Sequence, residues 1–312
     1  MRIVFFGSPA SALPSFRKLL DGGHSVGLVI TQPDKPAGRG RRMTASPVKA
    51  FALERGIPVL EPEKIRKDDS VLLRIQDASP DVHVVVAYGQ IIPASIIYFP
   101  RHHSLNVHFS LLPKYRGAAP VQWAVLNGEA ETGVTIIELN ERMDEGDILA
   151  QARAPIWPRE TAGELERRLA DLGADLLLQT LESVDAIPRL PQDHGRASLA
   201  PKIQKEDGRI GWSKNAESID RKVRALAERP GTFTFFRGRR LQVHRGRPLE
   251  AGGHSARPGE VLDAGKDGLK VACGDQSTYL IEELQPEGKK RMPAYEFRLG
   301  AKIDPGELLT GE

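Results

Sequence analysis

The first hundred residues alternate short apolar runs with segments of helical periodicity. The apolar runs have the length and composition of buried strands and comprise Arg2–Phe6, Val26–Ile30 and Val82–Ala87. The segments between them place apolar side chains at helical spacing and comprise Pro9–Leu20, Pro47–Arg55 and Val71–Ala78. This alternation predicts an α/β fold with a doubly wound, mostly parallel sheet.

A second pattern places polar side chains at the end of a further strand. Asn106 and His108 are two residues apart and close the strand-like run that begins at Ser104, so both face the same side of the sheet. The carboxyl ends of strands in open α/β sheets are where ligands bind. An acidic loop follows further on, and Asp144 in it could orient the imidazole of His108. A lone histidine on a strand is more often structural, and that interpretation stays open.

The second half of the chain has a different pattern of predicted elements. A capping box at Thr161–Glu164 begins a helix that apolar periodicity carries to about Asp185. A proline-rich stretch without periodicity follows, so we predict a first domain of residues 1–188, a linker of 189–205 and a second domain of 206–312. The second domain is expected to be a small β-barrel. Its predicted elements are a helix, Ala216–Ala225, and the strands Thr232–Phe236, Leu241–Arg245, Gly259–Leu262, Leu269–Ala272 and Tyr279–Leu284.

Composition and missing motifs exclude several classes of protein. The 312 residues are 40% apolar and 27% charged, which is ordinary for a soluble globular protein, and no apolar run approaches the length of a membrane span. Cys273 is the only cysteine, which excludes an intrachain disulfide and fits a cytoplasmic protein. Gly7 after the first strand lacks the glycine pattern of a dinucleotide site, and no phosphate-binding P-loop is present. We therefore expect neither NAD nor ATP chemistry, and no metal, because no Cys/His cluster has ligand spacing.

Two basic segments suggest an anionic partner. Five arginines between Arg237 and Arg247 lie within eleven residues that contain no acid. The long loop Gln32–Pro47 carries Lys35, three arginines and one acid, and its prolines and glycines predict a loop without regular structure. Either segment could instead be a solvated charged surface, and both interpretations stay open.

Longer motifs identify a family. The chain resembles the methionyl-tRNA formyltransferases, which are 10-formyltetrahydrofolate-dependent enzymes. The resemblance runs from Met1 to about residue 305 and is strongest in the first two thirds. It is carried by Asn106–Pro120, Gln32–Gly40, Ser46–Lys49, Val84–Gly89, Glu131–Thr135 and Met143–Asp147. Two positions depart from the family: Phe109 stands where a small residue is usual, and the stretch Arg229–Thr232 lacks a usual tryptophan.

The resemblance implies that the chain transfers a formyl group from 10-formyltetrahydrofolate to methionine on initiator Met-tRNA, without a metal or NAD. It implies a Rossmann-like catalytic domain, an OB-like tRNA-binding barrel and a cytoplasmic protein, which we expect to be monomeric. The implied catalytic residues are Asn106, His108 and Asp144. The implied folate-binding residues are Tyr88, Gly89, Gln90, Ile91, Ser110, Leu111, Leu112 and Pro113. The predicted tRNA-binding residues are Arg39, Arg41, Arg42, Lys49, Arg237, Arg239 and Arg240.

The chemistry of formyl transfer fits these residue types. The amine attacks the formyl carbon, an oxyanion forms, and the folate nitrogen leaves. Asn106 and His108 can donate to the oxyanion, and the charge of Asp144 would favour the imidazolium. Four alternatives stay open: a formyltransferase for a small amine, a formyltetrahydrofolate hydrolase, a tRNA-binding module without catalysis, and a hydrolase that uses Ser110, His108 and Asp144. The last lacks the Gly-x-Ser-x-Gly turn of such hydrolases.

Overall fold

The computed structural model describes residues 1–37, 42–250 and 253–311. The chain forms two units. The first comprises Met1–Pro120, Glu131–Pro155 and Glu166–Pro201, and the second comprises Val121–Ala130, Ile156–Leu165 and Lys202–Glu312. Residues 189–201, which the sequence assigned to a linker, therefore belong to the first unit.

A seven-stranded sheet forms the centre of the first unit. The strands of this part of the chain are β1 (Arg2–Gly7), β2 (Ser25–Ile30), β3 (Lys35–Ala37), β4 (Arg42–Thr44), β5 (Val59–Leu60), β6 (Val82–Val86), β7 (Ser104–His108), β8 (Glu131–Glu138) and β9 (Ile148–Pro155). The order in the large sheet is β5-β2-β1-β6-β7-β8-β9. The first five strands of that order run parallel, and β8 and β9 extend the sheet in antiparallel fashion. The predicted mostly parallel, Rossmann-like sheet is thus confirmed.

Five helices lie between these strands in the chain, and a sixth follows β9. Their bounds are α1 (Leu13–Asp21), α2 (Pro47–Glu54), α3 (Asp69–Ala78), α4 (Ala94–Ile97), α5 (Pro120–Leu126) and α6 (Ala162–Glu182). Short 3-10 turns lie at Ala10–Ala12, Ile65–Lys67, His194–Arg196, Glu206–Gly208 and Gly274–Gln276. The predicted capping box of α6 is present, since the Thr161 amide donates to the Glu164 carboxylate at 2.9 Å and the Glu164 amide donates to the Thr161 hydroxyl at 3.3 Å.

The basic loop after β2 differs from its prediction. Prolines and glycines suggested no regular structure, yet β3 and β4 pair in antiparallel register, with Lys35 opposite Thr44. The pairing is possible because Pro36 stands in a two-stranded ribbon, where each strand has a free edge and a missing amide donor costs little. Residues 38–41, which connect the two strands, lie outside the described residues.

The second unit contains an antiparallel sheet beside two helices. Its elements are α7 (Ala216–Ala225), β10 (Thr232–Phe236), β11 (Arg239–Leu249), β12 (Val261–Gly265), β13 (Gly268–Ala272), β14 (Thr278–Pro286), β15 (Met292–Pro293), α8 (Ala294–Ala301) and β16 (Leu309–Thr310). The sheet order is β12-β13-β14-β11-β10-β16, and β15 pairs with β14. All five predicted strands exist, whereas α8, β15 and β16 were not predicted.

This sheet is strongly curled. Leu309 on the edge strand β16 pairs with Phe236, and its amide also donates to the Gly259 carbonyl at 2.8 Å, close to β12 at the opposite edge. The Val261 amide donates in turn to the Glu307 carbonyl at 2.8 Å. Backbone hydrogen bonds therefore join the two edges around a buried apolar core that includes Trp212 and Tyr279.

Within the described residues, no helix is both long and apolar enough to cross a membrane.

Candidate active site

Strand β7 carries the two polar residues singled out from the sequence. It lies between β6, which runs parallel to it, and β8, which runs antiparallel. Asn106 and His108 are 9% and 6% exposed. Among the described residues, the Asn106 side chain has no hydrogen-bond partner. A largely buried amide without a protein partner is unusual and is available to a ligand.

The surroundings of His108 assign different roles to its two ring nitrogens. Nε2 lies 2.9 Å from the Tyr115 carbonyl oxygen, and Nδ1 lies 3.7 Å from Asp144 Oδ2. A carbonyl oxygen can only accept, so Nε2 carries a proton and donates it. The other ring nitrogen, Nδ1, faces the carboxylate. The predicted proximity of Asp144 and His108 is thus observed, at a distance longer than a hydrogen bond.

Asp144 is held by the backbone of the loop that follows β7. Its Oδ2 accepts a hydrogen bond from the Gly117 amide at 2.8 Å, and Asp144 itself adopts a positive φ of 54°. Gly146 makes this loop possible, because a Cβ there would lie 1.8 Å from the Glu138 carbonyl oxygen. The tight turn at Gly146 therefore sets the position of the Asp144 carboxylate.

Phe109, the departure from the family pattern, faces the other side of the sheet. A Cβ on Gly173 of α6 would contact Val107 and Val134 and would lie 3.6 Å from Cε1 of Phe109. The Phe109 ring is 7% exposed and packs with Val107 toward α6, because alternate residues of a strand point to opposite faces. It therefore does not narrow the space beside Asn106 and His108.

The segment Ser110–Pro113 supports the site more than it offers free groups to a ligand. Thr135 donates its hydroxyl to the Ser110 carbonyl at 2.7 Å, and the Leu112 amide donates to the same hydroxyl oxygen at 3.0 Å. Gln151 donates to the Leu112 carbonyl at 2.9 Å. Both polar backbone groups of Leu112 therefore have partners within the protein, and folate binding by Ser110–Pro113 stays a prediction. Leu111 packs close to Gly133 of β8.

The arrangement also contradicts a Ser–His–Asp triad. The Ser110 hydroxyl is fully buried and donates to the Lys114 carbonyl at 2.6 Å. His108 is occupied by the Tyr115 carbonyl on its Nε2 side and faces Asp144 on its Nδ1 side. Ser110 therefore has no basic partner positioned to remove its proton, which a nucleophilic serine requires.

The predicted folate-binding turn follows β6 at the same edge of the sheet. The Tyr88 side chain, however, is buried in the apolar core against Phe6, and this burial raises the pKa of its hydroxyl. Gln90 braces the neighbouring chain, since its Oε1 accepts from the Ile65 amide at 3.0 Å. The Tyr88 side chain is thus buried and that of Ile91 exposed, and folate binding by Tyr88, Gly89, Gln90 and Ile91 stays a prediction.

A buried network behind the site was not found from the sequence. Arg116 donates through Nε and Nη2 to Gln192 Oε1, at 3.1 and 2.7 Å, and its Nη1 lies 3.2 Å from Glu145 Oε1. Gln192 donates through Nε2 to the carbonyls of Asp144 and Gly146, at 2.8 and 2.7 Å. The Arg-Gly within the Asn106–Pro120 motif was the only sequence signal for this network.

The basic residues around the β3–β4 hairpin divide into two groups. Arg39 and Arg41 lie outside the described residues, and so does the side chain of Arg42. Lys49 forms ion pairs with Asp34 and Glu61 at 2.9 and 2.7 Å, and the Glu61 and Asp34 carboxylates raise the pKa of its ammonium group. Both acids therefore compensate the Lys49 charge at the base of the hairpin, and its contact with RNA stays a prediction.

The arginine cluster of the second unit is more neutral than its sequence indicated. Arg245 and Arg247 form ion pairs with Glu282 at 3.1 and 3.3 Å, because β14 runs beside β11. The eleven residues themselves contain no acid, and the acid that pairs with these two arginines comes from the neighbouring strand. Near the β10–β11 turn, Arg237 pairs with Glu307 at 2.7 Å and Arg240 lies over the Phe233 ring at 3.9 Å.

The three arginines near this turn thus differ in how available their side chains are to a ligand. Arg237 has a structural role, because it also donates to the carbonyls of Ala301 and Lys302. Arg240 is exposed and stacked, and Arg239 is exposed at the start of β11. Binding of RNA by the three residues stays a prediction.

Among the described residues there is no group of three or more His, Cys, Asp or Glu that could hold a metal ion.

Comparisons with known proteins are consistent over the whole chain. A family model described as formyl transferase matches residues 1–181, and one described as formyl transferase, C-terminal domain, matches residues 202–302. A methionyl-tRNA formyltransferase of Geobacter sulfurreducens is 43% identical over 99% of this chain and 96% of its own length. A protein of the same name from Geotalea uraniireducens is 45% identical over 99% of this chain and 98% of its own length.

A solved structure supports the fold at lower identity. HypX from Aquifex aeolicus in complex with tetrahydrofolic acid has a TM-score of 0.64 and 19% sequence identity. The alignment covers 96% of this chain and 47% of the HypX chain. At that identity, the similarity supports the fold alone.

Proposed function

Because the chain belongs to the formyltransferase family, we propose that it transfers a formyl group from 10-formyltetrahydrofolate to the amino group of methionine on initiator Met-tRNA. The observation that carries the proposal is the Asn106 amide, which is nearly buried beside His108 and has no partner among the described residues. The full-length similarity to methionyl-tRNA formyltransferases supports the choice of acceptor.

The first step is attack by the neutral amine on the formyl carbon. A carbon–nitrogen bond forms, the carbonyl electron pair moves to oxygen, and an oxyanion results. Asn106 donates an amide N–H to that oxygen, which is the interaction that strengthens as charge develops. One such donor contributes about 3–4 kcal/mol to transition-state stabilisation in other enzymes. A protonated Nδ1 of His108 is the ring position free to help, because Nε2 is occupied by the Tyr115 carbonyl.

The second step expels the folate nitrogen. The carbonyl re-forms, the bond from the formyl carbon to the folate nitrogen breaks, and that nitrogen takes up a proton. The amine nitrogen loses one proton, so the two transfers balance. His108 Nδ1 is suited to pass this proton, and Asp144 at 3.7 Å stabilises the imidazolium while it carries the charge.

The folate is proposed to lie at the edge of the sheet where β6 and β7 end. Gly89 and Ile91 follow β6, and the loop that contains Asp144 follows β8. Together these segments would flank the pteridine ring and bring its formyl group to Asn106. The segment Ser110–Pro113 is assigned to support of this pocket, with Leu111 at its border.

The tRNA is proposed to contact the β3–β4 hairpin and the second unit, whose curled sheet we assign to the OB-like class. In the sequence, Arg39, Arg41 and Arg42 fall within four consecutive residues. Arginine forks suit phosphates and base edges. Gln32 links the base of the hairpin to the folate-binding turn, because its Nε2 donates to the Tyr88 carbonyl at 2.7 Å.

One assay separates this function from its alternatives. The protein is incubated with 10-formyltetrahydrofolate and initiator Met-tRNA, elongator Met-tRNA, free methionine, glycinamide ribonucleotide or an amino sugar nucleotide. Formylation of initiator Met-tRNA alone supports the proposal. Formylation of a small amine would establish the small-acceptor alternative. Formate release without any acceptor would establish a hydrolase, and no reaction with bound tRNA would leave a binding module.

Asn106 provides the sharper test of mechanism. Asn106→Asp keeps the size of the side chain and removes its N–H donor, and we expect kcat to fall about a hundredfold or more. Folate affinity should change little, because the pocket is formed by other segments. Asn127→Asp, at the end of α5, is the matched control and should retain activity. Normal turnover by Asn106→Asp would remove Asn106 from the mechanism.

The hairpin is tested by charge removal. Arg39→Ala, and Arg41→Ala combined with Arg42→Ala, should weaken turnover with Met-tRNA and leave folate affinity unchanged. Each lost phosphate contact should also flatten the dependence of log K on log salt by a slope of roughly 0.7–0.9. Lys67→Ala, an exposed cation elsewhere in the first unit, serves as the control. Equal loss of folate binding would assign the hairpin a structural role instead.

A further inference from the structure

The segment from Leu190 to Ala200 is built into the first unit along most of its length. Leu190 exchanges two backbone hydrogen bonds with Ile148 of β9, at 2.8 and 3.0 Å. Ten residues later, the Ala200 amide donates to the Arg116 carbonyl at 2.7 Å, and the Arg116 amide donates to the Ser198 carbonyl at 2.8 Å. The segment therefore spans from β9 to the loop that follows β7, and it passes the side chains of the site on the way.

Gln192 lies in the middle of this segment and uses both ends of its amide. Its side chain is 5% exposed. Oε1 accepts two hydrogen bonds from the Arg116 guanidinium, and Nε2 donates to the carbonyls of Asp144 and Gly146. A buried glutamine in this setting has its hydrogen-bonding capacity filled by groups far apart in sequence, so its amide joins the two loops.

The two loops joined in this way are the ones that hold the catalytic pair. One contains Asp144, whose own backbone is in the left-handed region. The other contains Tyr115 and Gly117, which bind His108 Nε2 and Asp144 Oδ2. We propose that Gln192 is a positioning residue for formyl transfer, which holds Asp144 at its place beside His108 by bridging Arg116 and the carbonyls of Asp144 and Gly146.

The charges around Gln192 define what a substitution does. Arg116 carries the positive charge on one side, and Glu145 lies 3.2 Å from its Nη1. His194 Nδ1 is 3.3 Å from the same guanidinium. On the other side, the Gln192 amide donates to the carbonyl oxygens of Asp144 and Gly146. An added negative charge at position 192 would therefore keep the contact with Arg116 and repel the loop that contains Asp144.

The test compares Gln192→Glu with the parent protein. The variant keeps an oxygen for Arg116 but loses both N–H donors. We expect kcat per folded molecule to fall by roughly ten- to a hundredfold, as for two lost buried hydrogen bonds. The amide proton of Gly117 should also move upfield in ¹H–¹⁵N spectra, because its hydrogen bond to the Asp144 carboxylate lengthens. Gln192→Met, of similar length and without hydrogen bonds, should do the same and serves if Gln192→Glu does not fold.

Two controls separate positioning from general stability. Gln179→Glu introduces the same charge on the exposed face of α6, and Leu181→Ala removes a buried side chain of α6 to lower the melting temperature. Both should leave the Gly117 resonance and the activity per folded molecule unchanged. An unchanged Gly117 resonance in the Gln192 variants, or turnover within twofold of the parent, would overturn the proposal.

The catalytic part of this inference rests on the proposed function, and the spectrum does not. If the parent protein formylated no acceptor, the proposed function would fail. The Gly117 resonance would still decide whether Gln192 holds Asp144, because that measurement requires no substrate.

Discussion

Burial of a histidine on the strand next to the site makes the stability of the first unit depend on pH. His83 of β6 is fully buried, and burial lowers its pKa from 6.5 to about 3. Its Nδ1 lies 3.0 Å from the Ser104 hydroxyl, which donates to the Ile97 carbonyl, so the ring donates from Nδ1 as a neutral imidazole. The unfolded chain can protonate this group in a pH range where the folded chain cannot.

The sign and size of the effect follow from that difference. A group whose pKa is lowered on folding contributes stability above its unfolded pKa and loses it as the pH falls. The loss begins near pH 6.5 and ends near pH 3. Each pH unit between these values corresponds to about 1.4 kcal/mol. The first unit should therefore lose about 2 kcal/mol at pH 5 and about 3 kcal/mol at pH 4 through His83 alone.

The variant His83→Gln removes the titration and keeps an amide for Ser104. Hydrogen exchange of β6 and β1 peptides, measured from pH 7.5 to 4 and corrected for the intrinsic rate, reports the free energy of opening. The difference between parent and variant should grow toward acid by the amounts just given. Ser104→Ala is the control, because it removes the hydrogen bond without removing the titration and should shift stability by a constant amount. A pH-independent difference between parent and His83→Gln would refute the reasoning.

Three further predictions concern the site. Asp144→Asn should lower kcat by roughly ten- to a hundredfold with little change in melting temperature, since the amide can still accept from the Gly117 backbone but no longer offers charge to His108; unchanged steady-state kinetics would contradict this. Gly146→Ala should reduce kcat/KM for the folate at least about tenfold, because its Cβ would collide with the Glu138 carbonyl. Phe109→Ala should cost about 3–5 kcal/mol in urea unfolding and leave turnover of folded protein near the parent value, and a selective loss of turnover would place the ring in the pocket.

The sequence predicted those features that depend on neighbours in the chain. Strand β7 and the common face of Asn106 and His108 follow from a period of two residues, and α6 begins at its capping box. The elements β16 and α8 were missed because two-residue strands and short helices have too few positions for a period. The β3–β4 hairpin was missed because its prolines suggested a loop, although a two-stranded ribbon tolerates proline on its free edges.

Charge compensation is the property that the sequence describes least completely. Arg245 and Arg247 looked uncompensated because the acids that pair with them lie on β14, more than thirty residues away. Lys49 looked available for RNA, although Asp34 and Glu61 reach it from two different segments. A local count of charges ignores the partners that sheet pairing and loop packing supply, so it overestimates the field that a basic run presents to a ligand.

Gln192 was overlooked for the same reason, because its partners are distant in the sequence. The first family model ends at residue 181 and the second begins at residue 202, so the stretch between them resembles a connection without a function. In the structure that stretch supplies the Gln192 amide to the Asp144 loop, and the Ser198 hydroxyl accepts from the Tyr115 amide at 2.9 Å. A fragment that ended at Glu182 would retain the strands of the large sheet and lose the groups that hold the loops around His108. We therefore expect the chemistry of the first unit to depend on residues up to Pro201, because fixed loop geometry is what a site built from backbone turns requires.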